Sequence, residues 1–173
     1  DSPRTGGLIA INLRDGDELV GVGLVDERDD LLLVSRKGQS VRFHADDATL
    51  RPMGRSTSGV TGMKFRTGDE LLSMSVVREG EDPDVFVVFE SGLAKRSKVS
   101  EWNVKGRAIL GVAVAKLSDK GGDLVGALTV DEGDEVLVVF EKGNIVRSRV
   151  NEVRLTGRNT MGVQFAKPGK NDA

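Results

Sequence analysis

Three stretches decide how this chain folds: Gly54-Arg55-Ser56-Thr57-Ser58-Gly59-Val60, Gly106-Arg107-Ala108-Ile109-Leu110-Gly111-Val112 and Gly157-Arg158-Asn159-Thr160-Met161-Gly162-Val163. Each reads GRxxxGV, and their first glycines are 52 and 51 residues apart. Recurrence at a nearly constant period marks an array of like units.

The likeness extends outward from the motif. Leu31-Leu32-Leu33-Val34, Val85-Phe86-Val87-Val88-Phe89 and Val136-Leu137-Val138-Val139-Phe140 each begin seven residues before a glycine, namely Gly38, Gly92 and Gly143. Short Val- and Phe-rich runs closed by a glycine turn predict strands buried on both faces. A basic strand follows each turn, with Arg42, Arg96 and Arg147 four residues past the glycine. An earlier apolar stretch aligns without a gap at residues 18–25, 70–77 and 123–130. A further strand follows GRxxxGV, at Val60–Phe65, Val112–Leu117 and Val163–Lys167. Four short strands per unit at a period near 50 predict blades set around an axis.

The predicted units run over about 17–68, 69–121 and 122–171. Gly7–Glu18 aligns with Gly59–Glu70, so residues 7–14 read as the last strand of a preceding unit. The chain is therefore expected to be one partial domain of about three blades, with no linker. The tail from Lys167 to Ala173 has no partner strand in the pattern and is expected to fray.

Composition narrows the function. The 173 residues are enough for a core, and the absence of cysteine removes disulfides and thiolate metal sites. No apolar run is long enough to span a membrane. Tyrosine is absent and histidine occurs once, at His44, which removes several catalytic options.

The net charge of -2 does not by itself suggest a nucleic-acid partner, but the charges are segregated. Between 31 and 66, Arg36, Lys37, Arg42, Arg51, Arg55, Lys64 and Arg66 face only Asp46 and Asp47. The later units repeat the excess between 85 and 120 and between 136 and 170. The acids gather in the turns at 26–30, 79–84 and 131–135. Around an axis, the basic parts would form a stripe suited to a long, regularly charged polymer such as DNA. The competing reading is solubility alone: Lys and Arg point outward on any half-exposed strand.

GRxxxGV also admits two readings. Two glycines allow positive φ and a close approach of backbone N–H groups to phosphate, with the arginine as a further contact. Alternatively, the motif is a tight connection packed at a blade corner. Lys64, Lys116 and Lys167, each five residues beyond the second glycine, favour the phosphate reading.

Taken together, Gly7–Leu13, Asp30–Ser35, Leu50–Arg55 and Gly92–Arg96 resemble the C-terminal domain of the bacterial DNA gyrase A protein, actinobacterial members in particular. The resemblance covers nearly the whole chain. It implies an all-β, propeller-like β-pinwheel whose blades exchange strands. It also implies a rim that wraps double-stranded DNA and supports ATP-dependent negative supercoiling by a type IIA topoisomerase. The implied partners are the gyrase A core and the gyrase B protein, and the implied setting is cytoplasmic and nucleoid-associated. ATP and magnesium would be bound elsewhere in the parent enzyme, with no cofactor in this chain. The catalytic tyrosine of the family belongs to another domain, and this chain has none. The family's Gln-Arg-Arg-Gly-Gly-Lys-Gly loop is absent; Lys105–Gly111 keeps its outer frame and has Ala108, Ile109 and Leu110 inside.

The DNA-contacting candidates are Arg42, Arg55, Lys64, Lys95, Arg96, Lys105, Arg107, Lys116, Arg147, Arg158 and Lys167. His44 is expected to be structural or solvated, and Trp102 a packed anchor. Alternative functions are those of the topoisomerase IV counterpart or of a propeller-like scaffold that binds protein.

Overall fold

The computed structural model describes residues 6–167; the tail beyond Lys167 lies outside the described residues. The chain is all-β apart from single turns of helix. Ten strands are present among the described residues: β1 Asp30–Ser35, β2 Gln39–His44, β3 Leu71–Val77, β4 Asp84–Phe89, β5 Leu93–Lys98, β6 Val112–Ala113, β7 Leu124–Val130, β8 Glu135–Val139, β9 Ile145–Arg149 and β10 Val163–Gln164. The helix α1, Asp47–Leu50, starts at Asp46, whose carboxylate accepts from Thr49 N at 3.1 Å. Short 3-10 turns at Val99–Glu101 and Val150–Glu152 occupy the same place in the later units.

The sheets are assembled across unit boundaries. One has the order β3-β1-β2-β6 and the next β10-β5-β4-β7, every pair antiparallel. Each hairpin thus takes its inner neighbour and its outer neighbour from the unit that follows it in sequence. Leu31 pairs with Val76, and Val85 with Thr129. Ser40 pairs with Val112, and Ala94 with Val163. β3 packs against β7, so these strands line one common side, and β6 and β10 edge the opposite side.

The double burial expected of the apolar runs holds for the first two units. On β1, Leu32 and Val34 join a core with Val85, Val87, Phe89 and Trp102, while Leu31 and Leu33 face a second core with Val41, Phe43 and Met63. On β4, Phe86 turns the other way, toward Val136, Val150 and Val153, and its ring meets Phe165 edge-on at 5.3 Å. The third run departs from the expectation. β8 alternates, with Val136 buried and Leu137 and Val139 exposed, because β8 and β9 form a two-stranded sheet with no third strand among the described residues. Residues 7–14 and 18–25, expected as strands, form none.

The second glycine of the motif has a clear reason. A Cβ on Gly111 (φ +77°) would lie 2.0 Å from Ser40 O, and one on Gly162 would lie 2.9 Å from Ala94 O, so the loop rests directly on the preceding unit's strand. Gly59 also has positive φ, but a Cβ there would meet nothing within 4 Å. Gly59→Ala should therefore cost only the left-handed backbone, about 1–2 kcal/mol. Gly111→Ala should cost roughly 2 kcal/mol more, a gap that urea unfolding of the two variants would measure.

Candidate nucleic-acid interface

The motif arginines hold the units together. Arg107 donates to Thr61 O (Nη1, 3.2 Å) and Thr49 O (Nε, 2.8 Å), both in the preceding unit. Arg158 donates through Nη1 to Ala113 O, the position equivalent to Thr61. Backbone bonds repeat the joint: Lys64 N donates to Ile109 O at 2.8 Å and Lys116 N to Thr160 O at 3.0 Å, again equivalent positions. A third copy joins Asn12 N to Thr57 O at 3.0 Å, with Asn12 at the position of Lys64 and Lys116. The blade-corner reading of GRxxxGV thus describes Arg107 and Arg158; exposed Arg55 makes no such bond among the described residues.

A second set of arginines points the other way along the array. Arg42 pairs with Asp30 (Nε to Oδ2, 2.9 Å) and donates to Val99 O and Trp102 O of the next unit. Arg96 repeats this with Asp84 (Nη1 to Oδ2, 2.8 Å) and Val153 O (2.7 Å), and is buried. The acids Asp30, Asp84 and Glu135 also pair with basic residues across their hairpins. His44 Nδ1 lies 2.5 Å from Asp30, and Lys98 Nζ lies 2.7 Å from Asp84, a hydrogen bond that raises the Lys98 pKa. Arg147 pairs with Glu135 in the third unit and remains exposed.

These positions sort the eleven candidates. Lys95 and Arg96 are buried. Arg42, Arg107 and Arg158 are half-buried and occupied by backbone carbonyls. Arg55, Lys64, Lys105, Lys116, Arg147 and Lys167 are exposed. The joints gather several of them. The main chain of Lys64 is bonded to the loop that carries Lys105 and Arg107, and the main chain of Lys116 to the loop that carries Arg158.

Trp102 is an anchor, as expected: it is buried and its Nε1 donates to Ser40 Oγ at 2.7 Å. His44 serves the Asp30 pair with its ring largely exposed.

Proteins of known family share this architecture. The family model described as the DNA gyrase C-terminal domain, a β-propeller, matches residues 2–26, 29–78, 84–131 and 134–172. This chain belongs to that family. It is 58% identical over 178 residues to the DNA gyrase A protein of Streptomyces coelicolor, covering 100% of this chain and 20% of that protein. It is 49% identical over 172 residues to the DNA gyrase A protein of Mycobacterium tuberculosis, covering 99% of this chain and 20% of that protein. The chain thus spans about one fifth of the length of these curated relatives. A solved gyrase A C-terminal domain superposes with a TM-score of 0.84 at 31% identity, over 95% of this chain and 55% of that one. The C-terminal domain of DNA topoisomerase IV superposes with a TM-score of 0.85 at 26% identity, over 94% of this chain and 50% of that one. The fold is the β-pinwheel of the gyrase family.

Lys95 stands where the other units have Val41 and Val146. It is buried, donates to Ser97 Oγ (2.7 Å) and Val114 O (3.1 Å), and burial lowers its pKa to about 8. A folded pKa below the ordinary 10.5 means that the charged form opposes folding, fully so below pH 8. The opposition fades as pH rises from 8 toward 10.5. Lys95→Met should therefore stabilise the fold at pH 7 by on the order of 1–3 kcal/mol. That advantage should shrink by pH 10 in paired thermal melts.

Proposed function

We propose that this chain is a DNA-wrapping module of a type IIA topoisomerase. It would hold the phosphate backbone of duplex DNA along the side edged by β6 and β10. The observation that carries this reading is the exposure of Lys64, Lys105 and Lys116 beside the inter-unit joints, on loops whose main chain is hydrogen-bonded across those joints. Arg55 and Lys167 extend the set at the first and third units. Cations spaced one unit apart on a stiff frame neutralise phosphates without reading bases. Bending 20–30 base pairs costs on the order of 1–6 kcal/mol, so contacts must recur from unit to unit to hold the bend.

In the longer protein this wrap would present a crossing duplex to the gyrase A core and support negative supercoiling. ATP and magnesium would be bound outside this chain, by the gyrase A and B assembly. The chain itself would be non-catalytic, and its setting cytoplasmic, on the nucleoid. Among the described residues no helix is long and apolar enough to cross a membrane.

Binding to a roughly 40-base-pair duplex across a salt series tests this. The log–log slope should correspond to several phosphates at about −0.9 each. The quadruple variant Arg55→Gln, Lys64→Gln, Lys105→Gln, Lys116→Gln should retain its melting behaviour and lose most of that slope. An unchanged slope would remove these side chains from the interface.

A further inference from the structure

Two apolar side chains stand among the exposed cations, at the same place in successive units. Leu110 and Met161 each precede the second glycine of GRxxxGV, and they are 40% and 52% exposed. The Leu110 loop has a unit on either side, and both leave its side chain at the surface. Two residues on, Val112 and Val163 are 39% and 38% exposed, so each loop presents an apolar pair.

The main chain on both sides of these residues is bonded or packed. Ala108 N donates to Gly62 O at 2.6 Å, Ile109 O accepts from Lys64 N, and Gly111 rests on Ser40 O. In the next joint Thr160 O accepts from Lys116 N, and Gly162 rests on Ala94 O. The same bonds bring the main chain of Lys64 beside Leu110 and that of Lys116 beside Met161. The first joint has neither feature: Ser58 takes the place of Leu110, and Asn12 that of Lys64. Apolar tip and lysine thus occur together.

A surface that alternates cation and hydrocarbon over so short a distance fits a partner that alternates anion and hydrocarbon. The backbone of a duplex does so, because the carbon faces of its sugars separate its phosphates. We propose that Leu110 and Met161 rest on deoxyribose between the phosphates that Lys64, Lys105 and Lys116 neutralise, and thereby select DNA over RNA. This rests on the DNA-wrapping reading and adds a discrimination which that reading lacks. Phosphates are alike in both nucleic acids, so the lysines by themselves do not tell them apart. Ribose carries a 2′-hydroxyl where deoxyribose carries only hydrogen. Beneath a leucine or methionine that hydroxyl loses water and gains no partner. Deoxyribose meets the same side chain without that loss, and the carbon surface it covers favours contact. The bonds on both sides of each tip oppose withdrawal of the loop from a ribose.

The test compares binding of the 173-residue chain to a DNA duplex of roughly 40 base pairs and to a DNA·RNA hybrid of the same sequence, across a salt series. The unaltered chain should prefer DNA by about tenfold or more. The double variant Leu110→Ser, Met161→Ser, which copies Ser58, should lose most of that preference through weaker DNA binding, with hybrid binding little changed. Its salt slope should stay as it was, since no charge is removed. Its melting curve should stay too, both side chains being exposed. The exchange Leu110→Met, Met161→Leu should keep the preference. A preference based on duplex shape alone would survive the serine changes, and that result would overturn the proposal. Equal affinity of the unaltered chain for both duplexes would overturn it as well. So would a serine variant that binds DNA as tightly as the unaltered chain, which would leave the apolar tips to a protein partner. A salt slope near zero in the unaltered chain would instead remove the DNA-wrapping reading itself, and this proposal with it.

Discussion

A hairpin that is apolar on both faces cannot stand alone in water, and everything in this architecture follows from that constraint. β1-β2 and β4-β5 each present hydrophobic residues to two sides. Neither hairpin is completed by its own unit. The following unit brings an inner strand and an outer strand, and the cores form between neighbouring sheets rather than within one unit. Trp102 illustrates this: it belongs to the second unit, yet its indole N–H ends on Ser40 of the first.

This borrowing determines which positive charges are free to act on a partner. Where the outer strand arrives, backbone carbonyls of two units are brought together out of water, and arginine satisfies several of them at once. Arg42 and Arg96 reach forward to the next unit; Arg107 and Arg158 reach back. Buried pairs such as Arg96 with Asp84 contribute less to net stability than their short distances suggest, because both charges lose their water. Their geometry nonetheless specifies one register between units. Lys64, Lys105 and Lys116, at the same joints, keep their side chains at the surface. One structural device thus produces both a hydrogen-bonded joint between units and a spaced set of exposed cations.

Much of this is legible in the sequence. The period, the four strand positions of the second and third units, the anchor role of Trp102 and the family all follow from recurring residues. The strand exchange enters only through the family resemblance, because residue spacing does not tell which unit's hairpin a strand will join. The surroundings of the arginines are not legible in the sequence, for a physical reason. On a half-exposed strand, a guanidinium held by a carbonyl and one facing solvent give the same pattern. A signal for Arg42 and Arg96 is nevertheless present: an acid stands eight residues before each turn glycine and an arginine four after it, at Asp30 and Arg42, Asp84 and Arg96, Glu135 and Arg147. Antiparallel pairing brings such residues together. The burial of Lys95 has a weaker signal, its alignment with Val41 and Val146.

If the borrowed strands complete the hairpins, the joints between units must be as firm as the hairpins themselves. Native-state hydrogen exchange at Lys64 N, Lys105 N, Lys116 N and Thr156 N, compared with the amides of β1 and β4, tests this most directly. Both groups should open with the same free energy, in one cooperative event. Joint amides that exchange at markedly lower free energy than the hairpins would show units that open singly, and would contradict it.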